Sequence, residues 1–337
     1  AAKRLAISSG RDADTIHKAL EASVRETGRT YFERNEANPL EEDLIIVDEA
    51  SMLDISLFYH LLCALKDGAR LILVGDIDQL PPVGAGEPLK DLMSWGYVPI
   101  VRLKRIFRQE EGSGIVENAA LIRKGEMCVP DEAGEFRIVY AADDEDAYRI
   151  VMDLCRELNY GNEENKMLLQ VLSPMYRGVC GVDHLNESLQ EMIHGEKVPD
   201  GMKFFPGDKV MQTRNDYEKG IYNGDVGTVW TATPQKVFVR YFDKEVVYEG
   251  EERFDLRLAY AVTVHKSQGS EYETVIFILR PSQHNMLQRN LLYTGVTRAR
   301  KNTILVTAPD ALRRALAIQH TGNRYSLFLP FLNHEAL

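Results

Sequence analysis

The sequence predicts an α/β protein with two parallel-sheet domains and a small β-rich insertion in the second. Short apolar runs bounded by polar turns alternate with stretches whose leucines recur at helical spacing, as in parallel α/β domains. The length of 337 residues allows about two domains at roughly 150 residues each. One stretch of the second half has alternating apolar residues instead of continuous runs, which indicates the insertion.

The first domain is predicted to span residues 1–106, around two short apolar runs. Leu44–Val47 is wholly apolar and ends in an Asp-Glu pair, and residues 71–74 form a second run that ends in Gly-Asp. Both runs fit buried parallel strands. The leucines between them recur at helical spacing, which completes a strand–helix–strand unit.

The second domain is predicted from residues 107–206 and 256–337. It has the same alternation of apolar runs and amphipathic stretches. Strands are expected at Phe136–Tyr140, 167–172, 275–279 and 303–306, with helices over 147–158 and 183–193.

The insertion is predicted at residues 207–255. It contains Gly, Asn and Asp turn residues and short alternating strands at 237–242 and 246–248. This pattern is typical of a small β-barrel or meander. Because α/β strands resume after it, the segment interrupts the second domain.

Composition excludes several classes of protein. A formal net charge of −11 argues against an evenly basic nucleic-acid-binding surface, although a local basic groove on an acidic body is still possible. No apolar run approaches the roughly 20 residues of a membrane helix. The cysteines stand far apart, which argues against a disulfide framework or zinc site and suits a cytoplasmic protein. They are Cys63, Cys128, Cys155 and Cys180.

Asp48 and Glu49 follow the first predicted strand, where ligands of parallel sheets collect. An Asp there can hold Mg²⁺ through water, and the next Glu can orient and deprotonate an attacking water. Phosphoryl transfer requires both tasks. The alternative is that the pair only begins the next helix, where acids suit the positive end of the helix dipole.

Residues 75–83 follow the second predicted strand and read Gly-Asp-Ile-Asp-Gln-Leu-Pro-Pro-Val. Gln79 lies just past the strand end, where its amide can bond a γ-phosphate or the attacking water, and the prolines stiffen the loop. An ordinary Pro-rich turn does not require Asp and Gln at this spacing. The phosphate-binding interpretation is therefore favoured.

These segments resemble a known family. Residues 47–52 and 75–86 are similar to motifs II and III of superfamily 1 helicases, in particular of the RecD/TraA group in the 5′→3′ branch. The later motifs of the group follow in the same order, and this conjunction is more specific than any one of them. Residues 103–109 resemble motif IV, 172–178 an extra motif of the group, 259–271 motif V and 293–300 motif VI.

The resemblance implies two RecA-like domains, the first truncated at its N-terminus, that use ATP and Mg²⁺. By motif position, Asp48 would bind Mg²⁺, Glu49 would be the base for water, and Gln79 would sense the γ-phosphate. Arg108 and Arg298 would be arginine fingers, since a guanidinium donates to two oxygens and is always charged. Either arginine could instead form a surface or interdomain salt bridge.

Motif V of the family also contacts the nucleotide. Glu271 resembles the acid that contacts the ribose. Gln268 and Gly269 would couple the nucleotide to the DNA track. The resemblance also implies that residues 207–255 form an SH3-like module, either as a spacer or as a guide for the single strand.

The DNA-binding residues implied by the resemblance carry hydroxyl, imidazole or cationic side chains, which can hold phosphates without reading sequence. Residues 21–42 would contain a pin-like hairpin that splits the duplex, or a simple loop, and His17 is equally expected as a structural residue. The implied partners are single-stranded DNA, duplex junctions and subunits of a recombination or exonuclease complex. The DNA-binding set is Thr15, His17, Arg177, Thr263, His265 and Lys266.

The family also requires a Gly-rich phosphate loop that ends in Gly-Lys-Thr or Gly-Lys-Ser. No such run occurs in the 337 residues. We therefore expect the chain to be a piece of a longer protein with the loop upstream, and to be inactive in ATP hydrolysis by itself. The leading hypothesis is an ATP-dependent DNA helicase that moves 5′→3′ in recombination, repair or conjugation. The alternative is a non-catalytic DNA-binding or assembly module of an exonuclease V-like or relaxase complex.

Overall fold

The computed structural model describes residues 2–24, 30–103, 112–199, 201–242, 244–319 and 328–333. The chain divides into two compact units. The first contains Ala1–Arg105 and His320–Leu337, and the second is Ile106–Gln319.

The first unit carries the two strands predicted there. Strands β3 (Leu44–Val47) and β4 (Arg70–Leu73) pair in parallel, with Leu44 opposite Arg70 and Val47 opposite Leu73. Strands β1 (Ala22–Val24) and β2 (Thr30–Phe32) form an antiparallel pair within the segment predicted to be pin-like, and the residues that join them lie outside the described ranges. A short helix, Phe328–Leu332, also belongs to this unit. The elements are α1 Ala2–Ser9, α2 Ile16–Ala19, β1 Ala22–Val24, β2 Thr30–Phe32, β3 Leu44–Val47, α3 Ile55–Cys63, β4 Arg70–Leu73 and α4 Pro88–Trp95.

Helix α3 connects β3 to β4 and supplies one side of the core. It begins after Asp54, whose Oδ1 accepts a hydrogen bond from the backbone N of Leu57 at 2.8 Å. Phe58 and Leu61, three residues apart, are buried on one face of the helix. They pack in a cluster with Val47 of β3.

The expectation that β3 and β4 are buried on both faces is wrong in this structure. Successive side chains of a strand point to opposite faces of the sheet. Leu44, Ile46 and Ile72 are 48%, 53% and 45% exposed, whereas Val47 is buried. The described residues therefore cover one face of this two-stranded sheet and leave apolar side chains on the other.

The second unit contains the larger sheet and the insertion. Its helices are α5 Gly114–Lys124, α6 Asp144–Glu157, α7 Glu163–Leu168, α8 Val182–His194, α9 Arg289–Val296 and α10 Pro309–Ala317. Its strands are β5 Phe136–Tyr140, β6 Leu169–Ser173, β7 Lys209–Gln212, β8 Val226–Ala232, β9 Lys236–Arg240, β10 Glu245–Glu249, β11 Leu256–Leu258, β12 Ala261–Thr263, β13 Tyr272–Leu279 and β14 Ala299–Thr307.

Five of these strands form a parallel sheet in the order β12-β6-β13-β14-β5. The central strand β13 is buried along most of its length, as expected for a parallel sheet. One strand start differs from the prediction, because residues 167 and 168 are the end of α7. The side chain of Asn162 caps the start of that helix, two glutamates occupy its first turn, and the helix ends at Leu168.

The insertion is a five-stranded antiparallel sheet in the order β10-β9-β8-β7-β11. Alternate residues of β8, β9 and β10 are buried, and they enclose a small core that includes Val229, Val239 and Tyr248. Strand β11 leads through Ala259 and Tyr260 into β12 of the parallel sheet. The predicted α/β class with a β-rich insertion is confirmed. Among the described residues, no helix is long and apolar enough to cross a membrane.

Candidate nucleotide and nucleic-acid sites

Asp48 and Glu49 lie where the two parallel strands of the first unit end together. The backbone N of Val74 donates to the carbonyl of Val47, and the N of Ala50 donates to the carbonyl of Val74, both at 2.8 Å. Glu49 has a left-handed backbone with φ 53° and ψ 38°, which costs a non-glycine residue about 1–3 kcal/mol. Such strain concentrates at functional sites. The acid proposed from sequence as a base is thus the strained residue at this edge.

A small cavity joins the segments after β3 and β4. Its volume is about 20 Å³, enough for one water molecule, and both Ser51 and Gln79 line it. The Oγ of Ser51 and the Oε1 of Gln79 are buried there without a hydrogen-bond partner among the described residues. A buried polar atom left unpaired costs about 1–3 kcal/mol. Both oxygens thus lack a described partner where the two segments meet, and sequence reasoning had not singled out Ser51.

Two glycines let these segments approach closely. A Cβ added at Gly75 would lie 2.9 Å from the backbone N of Ser51. A Cβ at Gly84 would lie about 2 Å from a carboxylate oxygen of Asp54, the residue that caps α3. Any larger residue would therefore separate the loop that carries Gln79 from the segment that carries Glu49.

Arg298 is placed in the second unit beside the end of motif V. Its side chain is buried, and it donates from Nε to the carbonyl of Thr294 and from Nη1 to that of Ser270, each at 3.2 Å. Gln268, Gly269 and Glu271 flank Ser270, so the structure brings these four predicted residues together. The contacts fix the guanidinium, but its role as a finger stays a prediction. Arg108 lies outside the described residues.

Magnesium is consistent with the donor set at the first edge. The described residues contain no group of three or more His, Cys, Asp or Glu side chains that could hold a metal. Mg²⁺ is usually bound by one or two carboxylates together with substrate phosphates and waters. The exposed carboxylate of Asp48 can serve in this way without a cage of protein ligands.

Thr15 and His17 have structural contacts in the first unit. The Oγ1 of Thr15 accepts a hydrogen bond from the N of Lys18 and caps α2. The His17 ring lies 5.9 Å from the ring of Phe32. Burial lowers the pKa of His17, and the charge of Asp54 opposes this only in part. A neutral imidazole offers a phosphate a hydrogen bond but no charge, so DNA binding by His17 stays a prediction.

The motif V residues form a tight turn after β12. Thr263 is buried and its Oγ1 accepts from the N of Lys266 at 3.3 Å, while His265 is half-buried in the same turn. The Nζ of Lys266 donates to Oδ1 of Asn223 in the antiparallel module at 2.5 Å. Burial, and secondarily the charge of Arg257, lower the pKa of Lys266. The turn therefore touches the insertion.

A groove of about 1000 Å³ runs beside this turn in the second unit. It brings together Arg177 and Lys266, which the sequence indicated, and two further arginines. Tyr176 and Phe254 are 43% and 72% exposed, and each lines the groove. Cationic and aromatic side chains along one groove are typical of single-strand binding. The lining residues are Tyr176, Arg177, Asp183, Thr213, Arg214, Glu251, Glu252, Phe254, Asp255, Arg257 and Lys266.

The cations of the groove have acidic neighbours. An oxygen of Asp183 lies 3.7 Å from Nη1 of Arg257, and one of Asp255 lies 3.5 Å from Nε of Arg214. Exposed pairs of this kind contribute only about 0–1 kcal/mol, so a phosphate can replace the acid at small cost. Sequence reasoning missed Arg214, Phe254 and Arg257 because they come from segments that share no motif.

Comparison with known protein families gives three matches along the chain. Residues 1–137 match an AAA domain, and residues 258–306 match a UvrD-like helicase C-terminal domain. Residues 185–241 match the SH3 domain of ATP-dependent RecD-like DNA helicases. The chain therefore resembles RecD-like DNA helicases. The SH3-like character of the insertion is thereby confirmed.

Curated relatives of this chain are named RecD or RecD2. The ATP-dependent RecD2 DNA helicase of Deinococcus radiodurans is 37% identical over 97% of this chain and 44% of its own length. The RecBCD enzyme subunit RecD of Mycolicibacterium smegmatis is 32% identical over 95% of the chain and 60% of its own. The RecD-like chain thus spans about half the length of these relatives.

Solved structures show the same fold at low identity. A Pif1 helicase from Bacteroides, in complex with ADP-AlF3 and ssDNA, has a TM-score of 0.59 and 20% identity, covering 98% of this chain and 84% of its own. The Candida albicans Pif1 helicase has a TM-score of 0.51 and 19% identity over 88% and 77% of the two chains. Similarity at this level supports the RecA-like fold only.

Proposed function

We propose that this RecD-like chain is the motor part of an ATP-dependent DNA helicase that moves 5′→3′ along single-stranded DNA in recombination, repair or conjugation. One observation carries the proposal. The segments after β3 and β4 meet at one sheet edge, where the oxygens of Ser51 and Gln79 are buried without described partners. Names of the curated relatives support the activity, since RecD2 is described as an ATP-dependent DNA helicase.

The nucleotide chemistry is assigned to the residues of the motifs. Asp48 binds Mg²⁺, which neutralises phosphate charge when ATP is present. Glu49 takes the proton of the attacking water, and Gln79 senses the γ-phosphate. Arg298 and Arg108 donate to the phosphates as arginine fingers.

The motif V turn of the second unit is assigned two tasks. Glu271 contacts the ribose of the nucleotide. Gln268 and Gly269 lie between this contact and the DNA-binding end of the turn, so they couple one to the other. The 3.2 Å contact of Arg298 with Ser270 supports the pairing of motif VI with this turn.

Single-stranded DNA is assigned to the groove of the second unit. Arg177 and Lys266 in the groove hold phosphates together with Thr263 and His265 of the adjoining motif V turn, which gives affinity without sequence preference. The exposed rings of Tyr176 and Phe254 offer faces on which bases can stack.

In the first unit, Thr15 and His17 contribute neutral hydrogen bonds to the strand. The antiparallel pair β1–β2 is the proposed pin at the duplex junction.

Unwinding of forked duplexes tests this function. The protein extended upstream in its coding sequence would be given ATP and duplexes with either a 5′ or a 3′ single-stranded tail. We expect unwinding from the 5′ tail only, and loss of it in Glu49→Gln. Unwinding from the 3′ tail, or none from either with hydrolysis intact, would refute the direction or the helicase activity.

A second candidate is a non-catalytic DNA-binding or assembly module, possible partners being other subunits of a recombination or exonuclease complex. The absence of Gly-Lys-Thr and Gly-Lys-Ser from the chain favours it. Two relatives from mycobacteria are named RecBCD enzyme subunit RecD, which supports an assembly role. In that case single-stranded DNA binds equally with and without an ATP analogue, in the extended protein as well.

A further inference from the structure

The SH3-like module is attached to the parallel sheet through buried polar residues that the proposed chemistry does not use. They are at the start of β7, where Asp208 is 0% and Lys209 is 1% exposed. Charged side chains are almost never buried this completely unless they are paired. Their partners therefore show what the module is tied to.

The carboxylate of Asp208 accepts four hydrogen bonds. Its Oδ1 accepts from Oη of Tyr260 at 2.9 Å and from Nε2 of His194 at 2.8 Å. Its Oδ2 accepts from Nε2 of Gln190 at 2.5 Å and from the backbone N of Phe205 at 2.7 Å. Asp208 thus binds helix α8 and the segment between β11 and β12 at once.

Lys209 is connected to the segment between β11 and β12 through Gln170. Its Nζ donates to Oε1 of Gln170 at 2.9 Å and to the carbonyl of Leu169 at 3.1 Å. Gln170 in turn donates from Nε2 to the carbonyl of Tyr260 at 2.9 Å. The hydroxyl of Tyr160 donates to that carbonyl as well, at 2.6 Å.

Tyr260 is consequently held at both ends. Its hydroxyl is fixed by Asp208, and its carbonyl by Gln170 and Tyr160. The next residue, Ala261, is held through its backbone N and carbonyl by the side chain of Asn186, both at 2.9 Å. Ala261 begins the edge strand β12, which ends at Thr263 of the motif V turn.

We propose that Asp208 and Lys209 are positioning residues for the motif V turn. By fixing Tyr260 they set the turn that carries Lys266 against the SH3-like module that carries Arg214 and Phe254. The distance between the two walls of the groove, the motif V turn and the SH3-like module, is thereby fixed. The inference deepens the proposed function, because it assumes that this groove binds single-stranded DNA.

The test compares two buried tyrosines in the full 337-residue chain. Tyr260→Phe removes the hydroxyl that donates a hydrogen bond to Asp208. Tyr241→Phe is the matched control, because it removes a buried hydroxyl that lies 2.7 Å from the hydroxyl of Tyr248 inside the module core. Each variant loses one buried hydrogen bond, so a purely structural role would give the same outcome for both.

Three quantities are measured: the melting temperature, the affinity for a fluorescein-labelled oligothymidylate, and hydrogen exchange of the amides of residues 261–270. We expect both variants to melt earlier. Only Tyr260→Phe should weaken binding, by about fivefold, the order expected for one lost hydrogen bond. Only Tyr260→Phe should speed exchange in residues 261–270.

Unchanged exchange and binding in Tyr260→Phe, or equal losses in Tyr241→Phe, would overturn the inference. If Tyr260→Phe does not fold, Lys209→Met replaces a buried, hydrogen-bonded amino group by an apolar chain of similar length and should speed the same exchange. If the unaltered chain does not bind the oligothymidylate, the proposed DNA groove fails, whereas the exchange comparison still decides the positioning role.

Discussion

The two parallel sheets of this chain differ in how completely they are enclosed. In the second unit, β13 lies at the centre of five strands and residues 275–279 are 0% exposed. In the first unit, β3 and β4 form a two-stranded sheet in the described residues, and Ile46 is 53% exposed. Asp48 and Glu49, proposed to bind Mg²⁺ and activate water, thus lie beside the less enclosed sheet, whereas the groove proposed for DNA lies in the unit with the more enclosed one. Single-strand binding should accordingly depend on the second unit, whereas hydrolysis should need more than this chain offers.

Arg298 gives the largest expected effect, because it is proposed to act on the phosphates from the enclosed unit. In the upstream-extended protein, Arg298→Ala should lower kcat by about 10³–10⁵, as the loss of an arginine finger does. Arg298→Lys should rescue poorly, since an ammonium lacks the planar fork. Steady-state hydrolysis measures this.

Arg280→Lys is the control for Arg298. This buried guanidinium also binds backbone carbonyls, those of Ala141 and Thr307, within the same unit. It should lower the melting temperature and leave the rate of the folded protein unchanged. Full activity of Arg298→Lys would reassign Arg298 to a structural role.

Substitutions of Glu49 test the chemistry proposed beside the less enclosed sheet, β3–β4. Glu49→Gln in the extended protein should keep ATP binding and lower hydrolysis by about 10²–10⁴, because the base for water is lost. Glu49→Gly should lose hydrolysis too, but should melt later, because glycine tolerates the left-handed backbone found there. Hydrolysis and calorimetry together separate the two effects. Near-normal turnover in Glu49→Gln would remove Glu49 from the chemistry.

The enclosed unit should also have a distinct pH dependence of stability. Burial lowers the pKa of Lys209 from 10.5 to about 7. Above pH 7 the unfolded chain therefore binds more protons than the folded chain at this site, and stability rises with pH until about pH 10.5. Below pH 7 both states hold the proton, so the slope from Lys209 disappears and the cost of burying its charge is fully present. Lys209→Met should abolish the slope, which is at most about 1.4 kcal/mol per pH unit.

Urea unfolding of both proteins between pH 6.5 and 8 measures this slope. Buried cysteines act in the opposite direction at higher pH, because burial raises the pKa of Cys128, Cys155 and Cys180 to about 12. The difference between the two proteins cancels that effect. Parallel curves for the chain and Lys209→Met would show that Lys209 does not titrate in this range.

The smallest expected effect concerns single phosphate contacts. Lys266→Ala in the groove should weaken oligothymidylate binding severalfold and reduce the slope of log affinity against log salt by about 0.7. Lys236→Ala is the control, because Lys236 lies in the SH3-like module of the same unit, pairs with Glu249 at 2.7 Å, and does not line the groove. Equal losses in the two variants would place the DNA elsewhere.

Local patterns in the sequence were enough for most of the fold. Leu44–Val47 and Phe136–Tyr140 are strands as predicted, because continuous apolar runs and their boundaries are local signals. The boundary at Leu169 was missed because the first two residues of the apolar run, 167 and 168, end helix α7, and periodicity does not separate a helix end from a strand start in a short apolar run. The exposure of Ile46 could not be predicted either, since periodicity does not reveal how many strands cover a sheet.

The sequence likewise predicted some residues of the candidate sites and missed others. Motif spacing brought Gln79 to the edge near Glu49, since parallel strands end together. It gave no indication of Ser51, whose importance comes from a buried oxygen without a described partner. The Asp208–Tyr260 bond joins residues 52 positions apart and has no sequence signal.

ATP hydrolysis with and without oligothymidylate is the most direct test of the division of tasks between the two sheets. It compares residues 1–337 with the protein extended upstream in its coding sequence. We expect the 337-residue chain to bind oligothymidylate but to show no appreciable hydrolysis, since it contains no Gly-Lys-Thr or Gly-Lys-Ser to bind the phosphates. The extended protein should hydrolyse ATP, and faster with oligothymidylate. Robust stimulated hydrolysis by the 337-residue chain would contradict this, and phosphate binding would then have to be sought among other residues.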